Sequence, residues 1–105
     1  MRKARVFVNS KAAGLLIEQE RGKNYEFLYD DTYVGNPVSL SMPVHKKRFM
    51  FDSFPPFFDG LLPEGDRLEA LLRKRKLDSK NYMEQLIAVG SDMVGTVTVK
   101  GLDHE

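Results

Sequence analysis

The first part of the chain alternates between apolar and polar residues, which is the pattern of half-buried β-strands. We predict a strand, a turn and a return strand over 4–9, 9–14 and 15–20. A second turn over 21–24 contains Gly22, which can adopt the positive φ that tight turns need. Tyr25, Phe27 and Tyr29 then alternate with other residues and predict a third strand. These three strands are expected to form an antiparallel meander.

The middle of the chain is more interrupted. A polar segment over 30–37 separates the meander from the next elements. Apolar residues alternate with serines over 38–42, which predicts a short strand with Leu40 on its buried face. A basic loop over 44–47 follows, and 48–52 is predicted to be a short edge strand.

The most apolar stretch of the chain, residues 54–72, is also the most interrupted, because it contains three prolines and two glycines. Pro55 and Pro56 suit the start of a helix, where a missing N–H costs nothing. The apolar residues that would share one face of this short helix are Phe57, Phe58, Leu61 and Leu62. The segment 63–65 interrupts it, which indicates a hinge of the fold, a presented surface, or both.

Helical spacing continues after this interruption. Asp66 is predicted to cap a second helix, with Glu69 three residues later as in a capping box. The residues predicted to face the core are Leu68, Leu71 and Leu72. The basic run 73–76 lies at the helix C-terminus, where cations interact favourably with the helix dipole.

A third helix is predicted to be capped by Asp78 or Ser79 and to end at Gly90. Its apolar stripe consists of Tyr82, Met83, Leu86 and Ile87. A final strand is predicted over 94–100. The predicted fold is therefore α+β, a small antiparallel sheet of about five to six short strands with two to three helices packed on one side. We expect a single domain over 1–100 and a polar tail over 101–105.

Composition narrows the class of protein. The 105 residues suit one domain, and the absence of cysteine excludes a disulfide scaffold, a thiolate zinc site and a cysteine nucleophile. The net charge of +1 argues against non-specific nucleic-acid binding as the main role. The basic N-terminus is not followed by the apolar run of a signal peptide, and we expect a cytoplasmic protein.

Residues with catalytic potential are scattered. His45 and His104 show no metal-ligand spacing and are expected to be exposed. Residues 90–95 have the spacing of a phosphate-binding loop, but Thr96 stands where lysine is required. The acidic residues of the interrupted stretch lack a neighbouring base and are better explained by capping and solvation: Asp59, Glu64, Asp66 and Glu69. We therefore predict no catalytic, cofactor or metal site and no enzymatic activity.

Three segments carry a resemblance to a known family: Val38-Ser-Leu-Ser-Met-Pro43, Phe57-Phe-Asp-Gly-Leu-Leu-Pro-Glu-Gly65 with Arg67, and the stretch from Asp78 through Val89-Gly90-Ser-Asp92 to Gly95. Together they resemble the N-terminal subdomain of HipA-like serine/threonine kinases, which are toxins of toxin–antitoxin modules. The kinase core, with its catalytic and metal-binding aspartates, is not in this sequence. The chain resembles instead the free-standing HipS-like antitoxins of HipB–HipS–HipT modules, and we expect a complete chain.

The resemblance implies that the protein binds and neutralises a HipT-like serine/threonine kinase toxin, by occupying the place of its missing N-terminal subdomain near the active site. A HipB-like helix–turn–helix protein is an expected further partner, with DNA contacted only indirectly. The alternative is an adaptor that joins the kinase to that DNA-binding repressor. The residues expected to contact the kinase form the turn between two helices: Pro63, Glu64, Gly65, Asp66 and Arg67.

Overall fold

A computed structural model describes residues 2–90 and 96–102. The described residues form five strands, which are β1 (Arg2–Val8), β2 (Lys11–Glu20), β3 (Lys23–Tyr29), β4 (Arg48–Phe51) and β5 (Val97–Gly101). They also form three helices, which are α1 (Pro56–Asp59), α2 (Gly65–Arg75) and α3 (Tyr82–Val89). The predicted strand over 94–100 corresponds to β5, and its first two residues lie outside the described residues.

All five strands join one antiparallel sheet in the order β4-β3-β2-β1-β5. The meander β1–β2–β3 forms its centre, while β4 and β5 occupy the two edges. This architecture confirms the predicted α+β class. It also confirms the edge strand predicted from residue 48 onward.

The first hairpin is tighter than predicted. Asn9 and Ser10 have φ angles of 51° and 68°, so a two-residue turn joins the strands and β2 already begins at Lys11. The predicted turn over 9–14 was therefore wrong. Gly14 lies inside β2, where a Cβ atom would lie 2.2 Å from the carbonyl oxygen of Leu28. This glycine permits close packing of two strands and does not form a turn.

One face of the sheet carries an aromatic layer centred on Phe27. The Phe27 ring lies 4.9 Å from the ring of Tyr29 and 5.9 Å from that of Phe58. The ring of Tyr25 meets Phe54 edge to face at 5.3 Å. Such pairs contribute about 0.5–1.5 kcal/mol each beyond the area they bury. Phe54 and Phe58 thereby attach the segment around α1 to the sheet.

The predicted strand over 38–42 was wrong. Val38 and Met42 are buried, but Leu40 between them is 95% exposed, and only an isolated bridge joins Ser39 to Met42. The cause is the hydroxyl of Tyr29, which donates to the carbonyl of Met42 at 2.5 Å and accepts from the N–H of Val38 at 2.8 Å. These two bonds draw both ends of the segment to one point, so the residues between them form a turn.

α3 packs against the sheet through Met83 and Leu86, which are both fully buried. Its cap is Asn81, whose side chain accepts from the N–H of Glu84 at 3.3 Å, so the predicted caps Asp78 and Ser79 were wrong. Gly90 ends the helix as predicted. A Cβ atom on Gly90 would lie 2.0 Å from the carbonyl oxygen of Val99, so this glycine lets the helix end approach β5 closely.

A buried ionic network connects β1, β2 and α3. Glu18 is 3% exposed and accepts hydrogen bonds from Arg2 at 2.7 Å, from the N–H of Gly22 and from the Tyr25 hydroxyl, both at 3.0 Å. Burial, followed by the hydrogen bond to Glu18, raises the pKa of Tyr25 well above its usual value, so this hydroxyl remains a donor. Arg2 also donates to the Asn81 side chain at 2.9 Å. The network therefore holds the start of α3 on the sheet.

We predict that Arg2→Met lowers the free energy of unfolding by about 3–5 kcal/mol, because the buried Glu18 carboxylate loses its cation. The double variant Arg2→Met/Glu18→Leu should lose less than Arg2→Met alone. Urea denaturation measures both. The control is Lys23→Ala, which removes the exposed Lys23–Glu20 pair and should cost under about 1 kcal/mol. Equal losses for Arg2→Met and the control would contradict a supporting role for the network.

Candidate partner-binding corner

The chain leaves the core immediately after α1. Phe58 is fully buried, while Leu61 and Leu62 are half-buried and pack against the core. The helix itself ends at Asp59, and two further turns follow, in which the N–H groups of Leu61 and Leu62 each donate three residues back at 3.1 Å. The predicted helical face is therefore only partly helical. Its apolar residues nevertheless direct the next segment away from the sheet.

That next segment is the predicted contact, Pro63–Arg67, which we call the corner. Glu64 is extended, with φ −132° and ψ 162°, and Gly65 has φ +61°. Nothing lies within 4 Å of where a Cβ on Gly65 would stand, so its backbone angle, and not crowding, favours glycine there. The chain therefore changes direction at the corner, immediately before α2.

The predicted capping box does not form. α2 begins at Gly65, so Glu64 occupies the capping position, and its side chain makes no capping hydrogen bond. Asp66 lies inside the first turn and cannot cap the helix. Its carboxylate still interacts favourably with the helix dipole there. The capping explanation for these two acids is therefore wrong.

The charged side chains of the corner are free of internal partners. Pro63 is half-buried, and the four residues after it are exposed. Within 2–90 and 96–102, the side chains of Glu64, Asp66 and Arg67 make no hydrogen bond or ion pair. The structure thus brings all five predicted residues together at one exposed place. Apart from the favourable position of Asp66 in the first turn of α2, the described part of the chain gives these charged side chains no partner.

The apolar residues of α2 are not part of the core, contrary to prediction. Leu68, Leu71 and Leu72 are half-buried, and none of them belongs to the core cluster or to the partly buried residues packed against it. No residue of α2 is buried, and the helix makes only a small contact with α3. Their helical spacing places the leucines on one face. The helix therefore carries an apolar stripe that the rest of the domain covers only in part.

The far end of α2 is basic. The exposed cations there are Arg73, Lys74, Arg75 and Lys76. Lys76 ends the helix in the left-handed conformation with φ 56°, and its N–H donates to the carbonyl of Leu72. We call the corner together with Leu68–Lys76 the corner–helix surface. It is acidic where α2 begins, apolar along the helix and basic where α2 ends, so it can orient a partner by charge.

Other candidate chemistry is not assembled among the described residues. In 2–90 and 96–102 no group of His, Asp or Glu side chains is arranged to hold a metal ion. His45 is exposed as predicted, whereas His104 and residues 91–95 of the loop with phosphate-binding spacing lie outside the described residues. In the same ranges no helix has the length and apolar character to cross a membrane.

Sequence reasoning missed the exposure of the α2 leucines and of Leu40. A signal was present for α2, because eight of its eleven residues are not leucine and six of those carry charge. So narrow an apolar stripe is weak support for burial. No comparable signal marks Leu40, since its exposure depends on hydrogen bonds from a distant tyrosine.

Comparison with known proteins agrees with this geometry. A family model described as the HipA N-terminal domain matches residues 4–100. A Haemophilus influenzae protein, described as uncharacterized, is 32% identical over 100 residues that cover 95% of this chain and 92% of that protein. A solved N-terminal domain of HipA toxin matches with a TM-score of 0.78 and 30% identity, covering 100% of this chain and 96% of the other. The resemblance is confirmed, and the chain belongs to the HipA N-terminal domain family.

Proposed function

We propose that this protein is an antitoxin that binds a HipT-like serine/threonine kinase toxin and neutralises it without catalysis. The family membership supports a role in a toxin–antitoxin system and association with a HipA-like partner. The observation that carries the proposal is the corner–helix surface, whose charges are unpaired within the described residues and whose leucines are half-exposed. A HipS-like protein that acts on a separate kinase chain needs such an exposed surface for binding.

The corner is suited to binding because little has to change when a partner arrives. Its three charged side chains break no internal hydrogen bond on binding, and the fixed φ of Pro63 limits the ordering entropy that is lost. A complex of nanomolar affinity needs a net binding free energy of about 12 kcal/mol. An interface of about 800 Å² per partner supplies this when a few anchors are buried. The leucines of α2 are the proposed anchors.

In this proposal the protein occupies the place of the kinase's missing N-terminal subdomain, near the active site. Glu64 and Asp66 would face basic groups that otherwise hold phosphate, and Arg67 would face a carboxylate. Inhibition then follows from blocking the entrance to the site, or from holding the phosphate-binding loop where it cannot align ATP. Both routes require only that the protein binds the kinase tightly, and neither requires catalysis by this protein.

We predict that the triple variant Glu64→Ala/Asp66→Ala/Arg67→Ala binds a HipT-like kinase at least about tenfold more weakly, a change of about 1.4 kcal/mol. The charge pairs across the interface are lost while the domain is unaffected, since these side chains have no partner in the described structure. Calorimetric titration of the purified kinase measures affinity. Kinase autophosphorylation in the same mixtures measures neutralisation.

The matched control removes two acids and one base elsewhere, with Asp31→Ala/Asp52→Ala/Arg21→Ala. All three control residues are exposed. Denaturation of both triple variants should agree with wild type to within about 0.5 kcal/mol per substitution. If the corner variant binds and neutralises as well as the control variant does, the corner is not the contact.

A second prediction concerns the stripe on α2. Leu68→Ala/Leu71→Ala should weaken kinase binding by about tenfold or more, because anchors at the centre of an interface dominate its affinity. Alanine keeps the helix, so the free energy of unfolding should fall by less than about 1.5 kcal/mol per residue. The contrasting variant is Leu86→Ala, which empties a buried core position and should cost about 2–5 kcal/mol. If the Leu68→Ala/Leu71→Ala variant is destabilised as much as Leu86→Ala, these leucines are core residues and the prediction is wrong.

An assay without the DNA-binding partner distinguishes the adaptor alternative from direct neutralisation. Direct neutralisation requires that the kinase loses activity when mixed with this protein alone. If the kinase stays active until a HipB-like protein is added, while the complex still forms, the adaptor function replaces the antitoxin function.

A further inference from the structure

The strand β4 forms one edge of the sheet, and among residues 2–90 and 96–102 its single neighbour is β3. The N–H of Tyr29 donates to the carbonyl of Lys47 at 2.9 Å, which fixes the register at this end of the ladder. In an antiparallel pair the residues that bond to the neighbour alternate along the strand. Phe49 and Phe51 therefore bond toward β3, and Arg48 and Met50 direct their N–H and C=O groups to the open side.

Apolar side chains are exposed along this edge. Met50 is 56% exposed, and Leu40, in the adjoining turn, is 95% exposed. A shallow groove runs beside the strand and is lined by Ser41, Met42, Lys46, Arg48, Phe49, Met50 and Phe51. Open backbone groups beside an apolar groove are the two features by which a sheet accepts an added strand.

The same edge is positively charged. Lys46 lies 5.5 Å above the ring of Phe49, and Lys47 is exposed with no ion pair among the described residues. Arg48 forms an ion pair with Glu26, and although the exposed Asp52 directly follows the strand, the residues that line the groove include no acid. The exposed charge left beside the groove is therefore mainly cationic.

We propose that the β4 edge binds an extended acidic segment of a partner protein, which adds to the sheet as a further strand. The open N–H and C=O groups of Arg48 and Met50 select an extended backbone, and Lys46 and Lys47 select acidic side chains. A second copy of this chain offers a single exposed acid beside its own β4, Asp52, so it complements the lysines less well than an acidic segment does. This groove shares no lining residue with the corner–helix surface.

Basic residues at a sheet edge also serve to prevent strand pairing. The two roles differ in outcome when an acidic strand is offered. A protective edge rejects every extended peptide, whereas a binding edge accepts an acidic one and rejects its basic counterpart. The exposed Leu40 and Met50 favour binding, because a purely protective edge would not display apolar side chains.

The test uses the full chain, isotopically labelled, and a short synthetic peptide of alternating valine and glutamate. Amide NMR spectra should show shifts confined to 40–51, and the amides of Arg48 and Met50 should gain protection from hydrogen exchange. The peptide with lysine in place of glutamate should bind at least about tenfold more weakly. No binding of either peptide, equal binding of both, or shifts centred on β5 or α2 would overturn the proposal.

Two variants locate the interaction. Met50→Pro removes the outward N–H while leaving the bonds to β3, as edge strands tolerate, and should weaken binding about fivefold compared with Met50→Ala. Lys46→Glu/Lys47→Glu should reverse the preference between the two peptides, whereas Lys11→Glu/Lys23→Glu should not. Unchanged selectivity in the Lys46/Lys47 variant would overturn the proposal even if Met50→Pro fails to fold. Dimerisation of the free chain through β4 would assign the edge to a second copy instead.

Discussion

The contact between Phe58 and Phe27 fixes the segment that leads into the corner–helix surface. Phe58 is fully buried and its ring lies 5.9 Å from that of Phe27 at the centre of the sheet. Leu61 and Leu62 still pack against the core in part, and the residues from Glu64 to Arg67 are exposed. The corner and α2 must then run along the outside. The exposure of the corner–helix surface is therefore a consequence of how the core is packed.

Polar contacts connect α3 and the loop after β3 to the sheet. The network of Arg2 and Glu18 ties α3 to the first two strands, and the hydroxyl of Tyr29 ties down the loop after β3. α2 has no comparable tie within the described residues. Elements with few buried contacts open most readily. A partner that covers α2 would therefore stabilise the least protected part of the domain, which couples binding to local order.

Sequence periodicity predicted those parts of the fold in which local pattern and tertiary environment agree. The aromatic alternation of Tyr25, Phe27 and Tyr29 predicted a strand in which all three aromatic residues are buried. It failed where a distant group intervened. The alternation over 38–42 is real, but hydrogen bonds to Tyr29 turn that segment into a loop. Periodicity also shows which residues share a face without showing what covers it, and this is why the leucines of α2 were assigned to the core.

The position of the candidate site followed from the interruption of the apolar stretch by Pro63 and Gly65, together with the family resemblance. The roles of its residues did not follow. Asp66 has the sequence context of a helix cap, but the helix starts two residues earlier than such a cap requires, at Gly65, and the Asp66 carboxylate makes no capping bond. The edge at β4 was predicted as structure only. Its open backbone groups become visible once the register with β3 is known.

The most direct test of the account is hydrogen–deuterium exchange of the protein alone and bound to a HipT-like kinase that lacks this subdomain. We predict that binding slows exchange across 61–76, where α2 is poorly covered in the free chain, and changes exchange little in the central strands. Complex formation with no protection of 61–76 would contradict the corner–helix surface as the contact.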